Sequence, residues 1–378
     1  MRLLSFLGAG DKDGKYGETT YYFAGKKCRT NYVAHALASF LSPQDIQVFA
    51  TDKAWELHGT ALSELMKAQH LTPNRVSVPT GGSPEELWKM FGSIVDVIRT
   101  SQHQILLDIT HGFRMQPFFA AACIQYVQAV VPNPPAIRVV YGEYRGPDNE
   151  SPIWELTPFL EVLSWSRSLM MFLRTGQADA VVDPTERLGR ELSRQWATSG
   201  QQGTQPQLRN LANALRDFSN DFTTIRTGAL LLGDGSSAQR LRTAIDQTRD
   251  EVAQHMPALR LILEQVQTMV HPLVAGHARL SSATGQRVLL ALARLYQQMG
   301  RYSEATSILR EGWITLNAPQ TADHPGPGFQ KAERDEQERQ WQGQTTQSRS
   351  VSEIRNDIQH AGFNQQPHDR ACMVDPFV

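Results

Sequence analysis

The 378-residue chain is poor in cysteine, in lysine over most of its length and in long apolar runs, and each shortage closes off a class of protein. Its three cysteines, Cys28, Cys123 and Cys372, lie far apart without a Cys-x-x-Cys pair, which excludes a disulfide framework and a cysteine-rich zinc site. The apolar run from Leu3 to Leu7 is too short for a signal-peptide core, and no segment is long enough to span a bilayer. A reducing, cytoplasmic setting without membrane association is expected. There is no surplus of either charge: 37 Lys and Arg face 38 Asp and Glu, a net of −1. A surface that grips nucleic acid by overall basicity is excluded, so any polyanion site must be local. Between Lys89 and Lys331 every cation is an arginine. That suits planar contact with phosphate or carboxylate, although codon usage explains it equally well. No Gly-x4-Gly-Lys-Ser/Thr, His-Glu-x-x-His or Gly-x-Ser-x-Gly motif occurs, which argues against a P-loop nucleotidase, a zinc protease and a serine hydrolase of those types.

What is present is a regular alternation. An apolar strand over 3–7 runs into Gly8-Ala9-Gly10, followed by a polar loop that falls one residue short of a dinucleotide fingerprint, with Asp13 at its third glycine position. A hairpin over 19–23 and 27–30 precedes a helix over 31–41. Strands over 46–51, 75–78, 104–109 and 137–144 then alternate with helices over 54–70, 84–100 and 115–130, the pattern of right-handed crossovers and a parallel, Rossmann-like sheet. A further strand over 152–156 leads to a helix capped by Thr157-Pro158 and running through Thr175. Beyond Gly176 the periodicity is helical throughout. The fold class is therefore α/β followed by all-α. The expected division is 1–157, a connecting helix over 158–176, and a helical domain over 177–378 with a mobile insertion at about 318–350. Trp55, Trp88, Trp154, Trp165 and Trp313 fall in helix or strand patterns and are read mostly as core.

Two clusters carry chemistry. Asp108, Thr110, His111, Gly112 and Arg114 follow a buried strand and precede a helix, the place where open α/β sheets hold ligands. The hydroxyl, the imidazole, the Gly112 amide and the guanidinium suit phosphate or base contacts; the plainer reading is a helix cap made by Thr110. Arg355-Asn356-x-x-x-His360 offers a titrating imidazole and a guanidinium able to neutralise a phosphoryl transition state. Residues five apart on a helix point about 140° apart, so one copy does not aim both groups at one atom. Two copies about a twofold axis could, with an RNA 2′-hydroxyl as nucleophile. The plainer reading is a solvated helix end.

Taken in order, Gly8-Ala9-Gly10, Asp108-Ile109-Thr110-His111-Gly112-Phe113-Arg114, Leu156-Thr157-Pro158-Phe159-Leu160-Glu161 and Arg355-Asn356-Asp357-Ile358-Gln359-His360-Ala361-Gly362-Phe363 resemble the CRISPR-associated proteins of type III systems that join a CARF domain to a HEPN ribonuclease domain. The resemblance implies a dimeric CARF domain that binds a cyclic oligoadenylate, the tetra-adenylate ring being the implied activator. Its contacts would come from Gly8, Ala9, Gly10 and Asp11 and from Thr110, His111, Gly112, Phe113 and Arg114. It also implies a HEPN dimer in which Arg355, Asn356 and His360 cut single-stranded RNA without a metal or cofactor, leaving a 2′,3′-cyclic phosphate. Ala9, where such proteins often carry a hydroxyl residue, and Met115-Gln116, in place of a smaller or aliphatic pair, depart from the family pattern. Two other functions compete with the activated ribonuclease. One is a non-enzymatic sensor whose helical domain passes the signal to DNA or a protein. The other is an α/β domain that degrades its own cyclic ligand near Thr110 or His111.

Overall fold

A computed structural model describes residues 1–10, 13–112, 115–201, 203–317, 332, 334–337, 339 and 346–359. The chain divides into two compact units, Met1–Ser164 and Trp165–Val378.

The first unit is built on one eight-stranded sheet with strands β1 (Arg2–Leu7), β2 (Thr19–Phe23), β3 (Lys26–Thr30), β4 (Asp45–Ala50), β5 (Pro73–Ser77), β6 (Ile105–His111), β7 (Ile137–Gly142) and β8 (Glu150–Glu155), in the order β3-β2-β8-β7-β6-β1-β4-β5. The strands from β5 to β7 are parallel. β1 is apolar at successive positions because both its faces are covered. Leu3 and Leu7 pack with Ile46, Val48 and Leu106 on one face; Leu4 and Phe6 pack with Phe49, Ile105 and Leu107 on the other. Helices α1 (Val33–Leu41) and α2 (Asp52–Lys67) supply Leu37 and Leu62 to the first layer. Helices α3 (Pro84–Arg99) and α4 (Gln116–Val130) supply Ile94 and Ile124 to the second. Ser83 caps α3, its Oγ accepting from Glu86 N–H, while the Glu86 carboxylate reaches back past the cap to accept from the Gly81 and Gly82 amides at 2.9 Å each.

At the far edge the sheet is mixed rather than purely parallel. The β2–β3 hairpin is antiparallel, β2 runs parallel to β8, and β8 runs antiparallel to β7. Pro152 can sit inside this sheet because β8 pairs with β2 through Glu150–Pro152 and with β7 through Ile153–Glu155. The missing N–H thus falls where one partner hands over to the other. Thr157 does not cap its helix; its hydroxyl accepts from Val139 N–H at 2.9 Å and donates to Glu155.

The second unit is helical: α5 (Thr157–Thr175, entering from the first unit), α6 (Asp179–Thr198), α7 (Leu208–Thr223), α8 (Thr227–Leu231), α9 (Ser237–His255), α10 (Arg260–Val270), α11 (Ala283–Gln298), α12 (Tyr302–Asn317) and α13 (Thr346–Gln359). Its core holds a stack of rings, Phe218, Phe222 and Tyr296, with Phe222 and Tyr296 centroids 4.3 Å apart and Phe172 edge-on to Phe218. Most of 318–350 lies outside the described residues. Within that stretch Arg334 is tied to α12, donating to Thr315 Oγ1 at 2.9 Å and pairing with Glu311 at 2.7 Å. No helix among the described residues is long and apolar enough to cross a membrane. Two tryptophans read as core are on the surface instead: Trp88 is 72% exposed and Trp154 49%.

Candidate functional site

β1 is the first strand in the chain and lies at the middle of the five-stranded parallel run, with β4 on one side and β6 on the other. The chain therefore reverses direction across the sheet at β1 and β6, and the crevice beyond their carboxyl ends is the switch point where such sheets bind ligands. A bulge sharpens this end. Ser5 pairs with Asp108 but Leu7 pairs with His111, so β6 carries one extra residue there, which re-aims the end of the strand and the loop beyond it.

Asp108 organises the bulge. It is fully buried and accepts from Ser5 Oγ at 2.8 Å, from Thr110 N–H at 2.9 Å and from Thr110 Oγ1 at 2.5 Å. Burial pushes its carboxyl pKa up, against the pull of the hydrogen bonds from Thr110 and Ser5. Thr110 Oγ1 in turn accepts from Gly142 N–H at 2.8 Å. The Thr110 side chain thus ties β6 to β7 and does not cap α4, whose N-cap is Met115.

His111 points back into the unit, where its Nε2 accepts from Val33 N–H at 3.3 Å. That bond requires an unprotonated Nε2, so the proton of the neutral ring sits on Nδ1. Burial, and secondarily the neighbouring His58, lower its pKa to about 3. The ring of Tyr16 lies between two imidazoles, its centroid 4.1 Å from His111 and 4.4 Å from His58. Its hydroxyl accepts from Gly8 N–H at 2.9 Å and lies 2.7 Å from the Gly8 carbonyl, to which it donates. The hydroxyl of Tyr32 meets His58 Nδ1 at 3.1 Å.

The structure thus brings Gly8, Thr110 and His111 to one end of the sheet, with Gly112 beside them. A side chain at Gly8 would come within 2.8 Å of the His111 carbonyl, and one at Gly112 within 2.7 Å of Gln116. Gly10 has a φ of +82°, which favours glycine. Ala9 is half-buried beside it. Asp11, Phe113 and Arg114 lie outside the described residues. Tyr16, Tyr32 and His58 were not anticipated. They are scattered over a loop, a helix entrance and the buried face of α2, and no spacing links them.

In the helical unit, α13 carries Ile354 and Asp357 buried, Arg355 half-buried and Asn356 exposed. The Arg355 guanidinium donates to Asn356 Oδ1 at 3.1 Å. His360, the third member of that candidate set, lies outside the described residues.

Residues 3–141 match the family model described as CRISPR system endoribonuclease Csx1, CARF domain. The first unit carries a CARF domain. In this CARF domain the matched stretch runs from β1 into β7 and includes both loops of the crevice, the one after β1 and the one after β6. The comparison with curated proteins finds no match for the chain.

Proposed function

We propose that the chain is a ribonuclease switched on by a cyclic oligoadenylate in type III CRISPR defence. The observation that carries the reading is the coincidence of the matched CARF residues with the sheet's switch point, where Gly8, Thr110, His111 and Gly112 come to one end. A cyclic polyphosphate bound about a twofold axis needs backbone amides, a polar loop and arginine at such an end, and Arg114 follows two positions after Gly112 in the sequence. The chemistry is assigned to α13 and the residue just beyond it. There Arg355 would neutralise the phosphoryl charge, His360 would move the proton of the attacking 2′-hydroxyl, and Asn356 would position the Arg355 guanidinium. Two copies of the chain supply two such sets, and the product is a 2′,3′-cyclic phosphate.

The test is cleavage of a single-stranded RNA assayed with each cyclic oligoadenylate in turn, with and without EDTA. Cleavage is expected to depend on one ring size, the tetra-adenylate, and to survive EDTA. His360→Ala should abolish cleavage and leave ligand affinity within about twofold; Arg114→Ala should weaken ligand binding instead. Full RNA cleavage by His360→Ala overturns the assignment of the chemistry. DNA or protein binding that responds to the ligand in that variant would favour a non-enzymatic sensor.

A further inference from the structure

A loop that holds an anion does so by offering its N–H groups to it. In the β1 loop the Gly8 N–H is already taken. It is donated to the Tyr16 hydroxyl at 2.9 Å, and the same hydroxyl lies 2.7 Å from the Gly8 carbonyl and 3.5 Å from the His111 carbonyl. This single oxygen therefore touches both loops of the crevice. The Tyr16 ring stacks on His58 and meets His111 at a tilt of 39°, and its backbone carbonyl accepts from Asn31 Nδ2 at 2.9 Å. The neighbouring His58 is only 4% exposed, and its Nδ1 meets the Tyr32 hydroxyl at 3.1 Å, which fixes the imidazole against the Tyr16 ring.

We propose that Tyr16 is a latch on the β1 loop: its hydroxyl occupies the Gly8 N–H, and an anionic oxygen of a ligand gains that N–H by displacing it. Displacement also releases the Gly8 and His111 carbonyls, so the two loops become free to move together. The identity of the ligand rests on the function proposed above; the holding of the loop by Tyr16 does not.

Tyr16→Phe keeps the stacked ring and removes the hydroxyl. The experiment compares the full-length chain with Tyr16→Phe and with Asn31→Ala, which frees the Tyr16 backbone without touching the ring. Tyr32→Phe, which lacks only the hydroxyl on His58, serves as the control. Binding of cyclic tetra-adenylate is measured by calorimetry, and hydrogen exchange is monitored in the peptide covering Gly8 to Tyr16. Without ligand, Tyr16→Phe should exchange faster than wild type at Gly8. It should also bind the ligand about threefold to tenfold more tightly, the factor expected for one hydrogen bond no longer broken on binding. Asn31→Ala should move both readouts the same way and Tyr32→Phe neither. Equal exchange in Tyr16→Phe and wild type overturns the latch, as does faster exchange with unchanged or weaker binding. Faster exchange with no ligand bound by any of the proteins overturns the ligand's part in it and the functional reading, while leaving the hydroxyl as the group that holds the loop.

Discussion

Asp108 and His111 sit three residues apart, and the bulge between them turns one into the wall and the other toward α1. Three donors converge on the Asp108 carboxylate in a place closed to water, so its work is to hold the loop rather than to exchange protons with a ligand. His111 is held neutral. In the unfolded chain its pKa is near 6.5, whereas in the folded chain it is lowered to about 3. Between those values the unfolded state binds more protons, so stability rises with pH and is lost as the pH falls below about 6.5. His35 and His58, also lowered by burial, act in the same sense, and Asp108, pushed up, acts against it. Comparing the wild type with His111→Gln isolates the one group. The advantage of the wild type in unfolding free energy should shrink by about 2 kcal/mol between pH 7 and pH 5, as read from urea titrations at each pH. A difference that stays flat would mean that His111 takes up its proton in the folded chain as easily as in the unfolded one. In the sequence this residue was visible as part of a polar loop. That its ring faces inward was not, because the direction depends on a one-residue bulge that no periodicity reports.

At the level of elements, the central strands of the parallel run were readable because both their faces are largely buried, which makes them mostly apolar: β1, β4 and β6 fall within two residues of their expected limits. The mixed edge was not readable. The β2–β3 hairpin is local in sequence, but its partner β8 lies more than a hundred residues further on, and nothing in either segment announces the pairing. Trp88 shows the same limit from the other side. Its place in a helical pattern was plain, yet whether that face meets the sheet or the surroundings is a tertiary fact. The end of α7 is a further example. Arg226 N–H bonds the Asp221 carbonyl at 2.8 Å and Ile225 N–H bonds the Phe222 carbonyl at 3.3 Å, a Schellman motif whose left-handed position is normally glycine. Here it is Ile225, with a φ of +56°. A β-branched residue there costs about 1–2 kcal/mol, and glycine recovers this less the extra entropy it lends the unfolded chain. Ile225→Gly should therefore stabilise the helical unit by about 0.5–1 kcal/mol and raise its melting temperature by about 1–4 °C, while Ile225→Val should gain nothing. A lower melting temperature for the glycine variant would show that the side chain, 38% exposed, contributes more by packing than it costs in backbone strain.

At the level of the whole molecule, the function proposed above draws on two chains, each contributing one Arg355 and one His360. The first unit carries a face suited to holding a second copy. Phe118 on α4 is 76% exposed, Trp88 on α3 72% and Phe159 at the start of α5 71%. The three helices lie side by side: Phe91 of α3 meets Tyr126 of α4 edge-on at 5.6 Å, and Gln125 of α4 donates to the Leu160 carbonyl of α5 at 3.3 Å. Large aromatic side chains standing out from adjacent helices mark an interaction surface rather than ordinary solvent-facing residues. A twofold contact would use the same patch on both copies. Because α4 comes directly after the β6 loop, such a contact would also bring the crevices of two chains toward one axis, as a single cyclic ligand with repeated phosphates demands. Phe118→Asp places a charge in that patch without touching Gly8, Thr110, His111 or α13. Sedimentation should show the wild type as a dimer and Phe118→Asp shifted toward monomer, with the dissociation constant raised at least tenfold. Ligand-dependent RNA cleavage should fall in step with the loss of dimer and return at high protein concentration. A variant that stays dimeric and fully active would move the twofold contact to another face. One that is monomeric yet fully active would remove the need for two chains, and with it the argument that pairs Arg355 of one copy with His360 of the other.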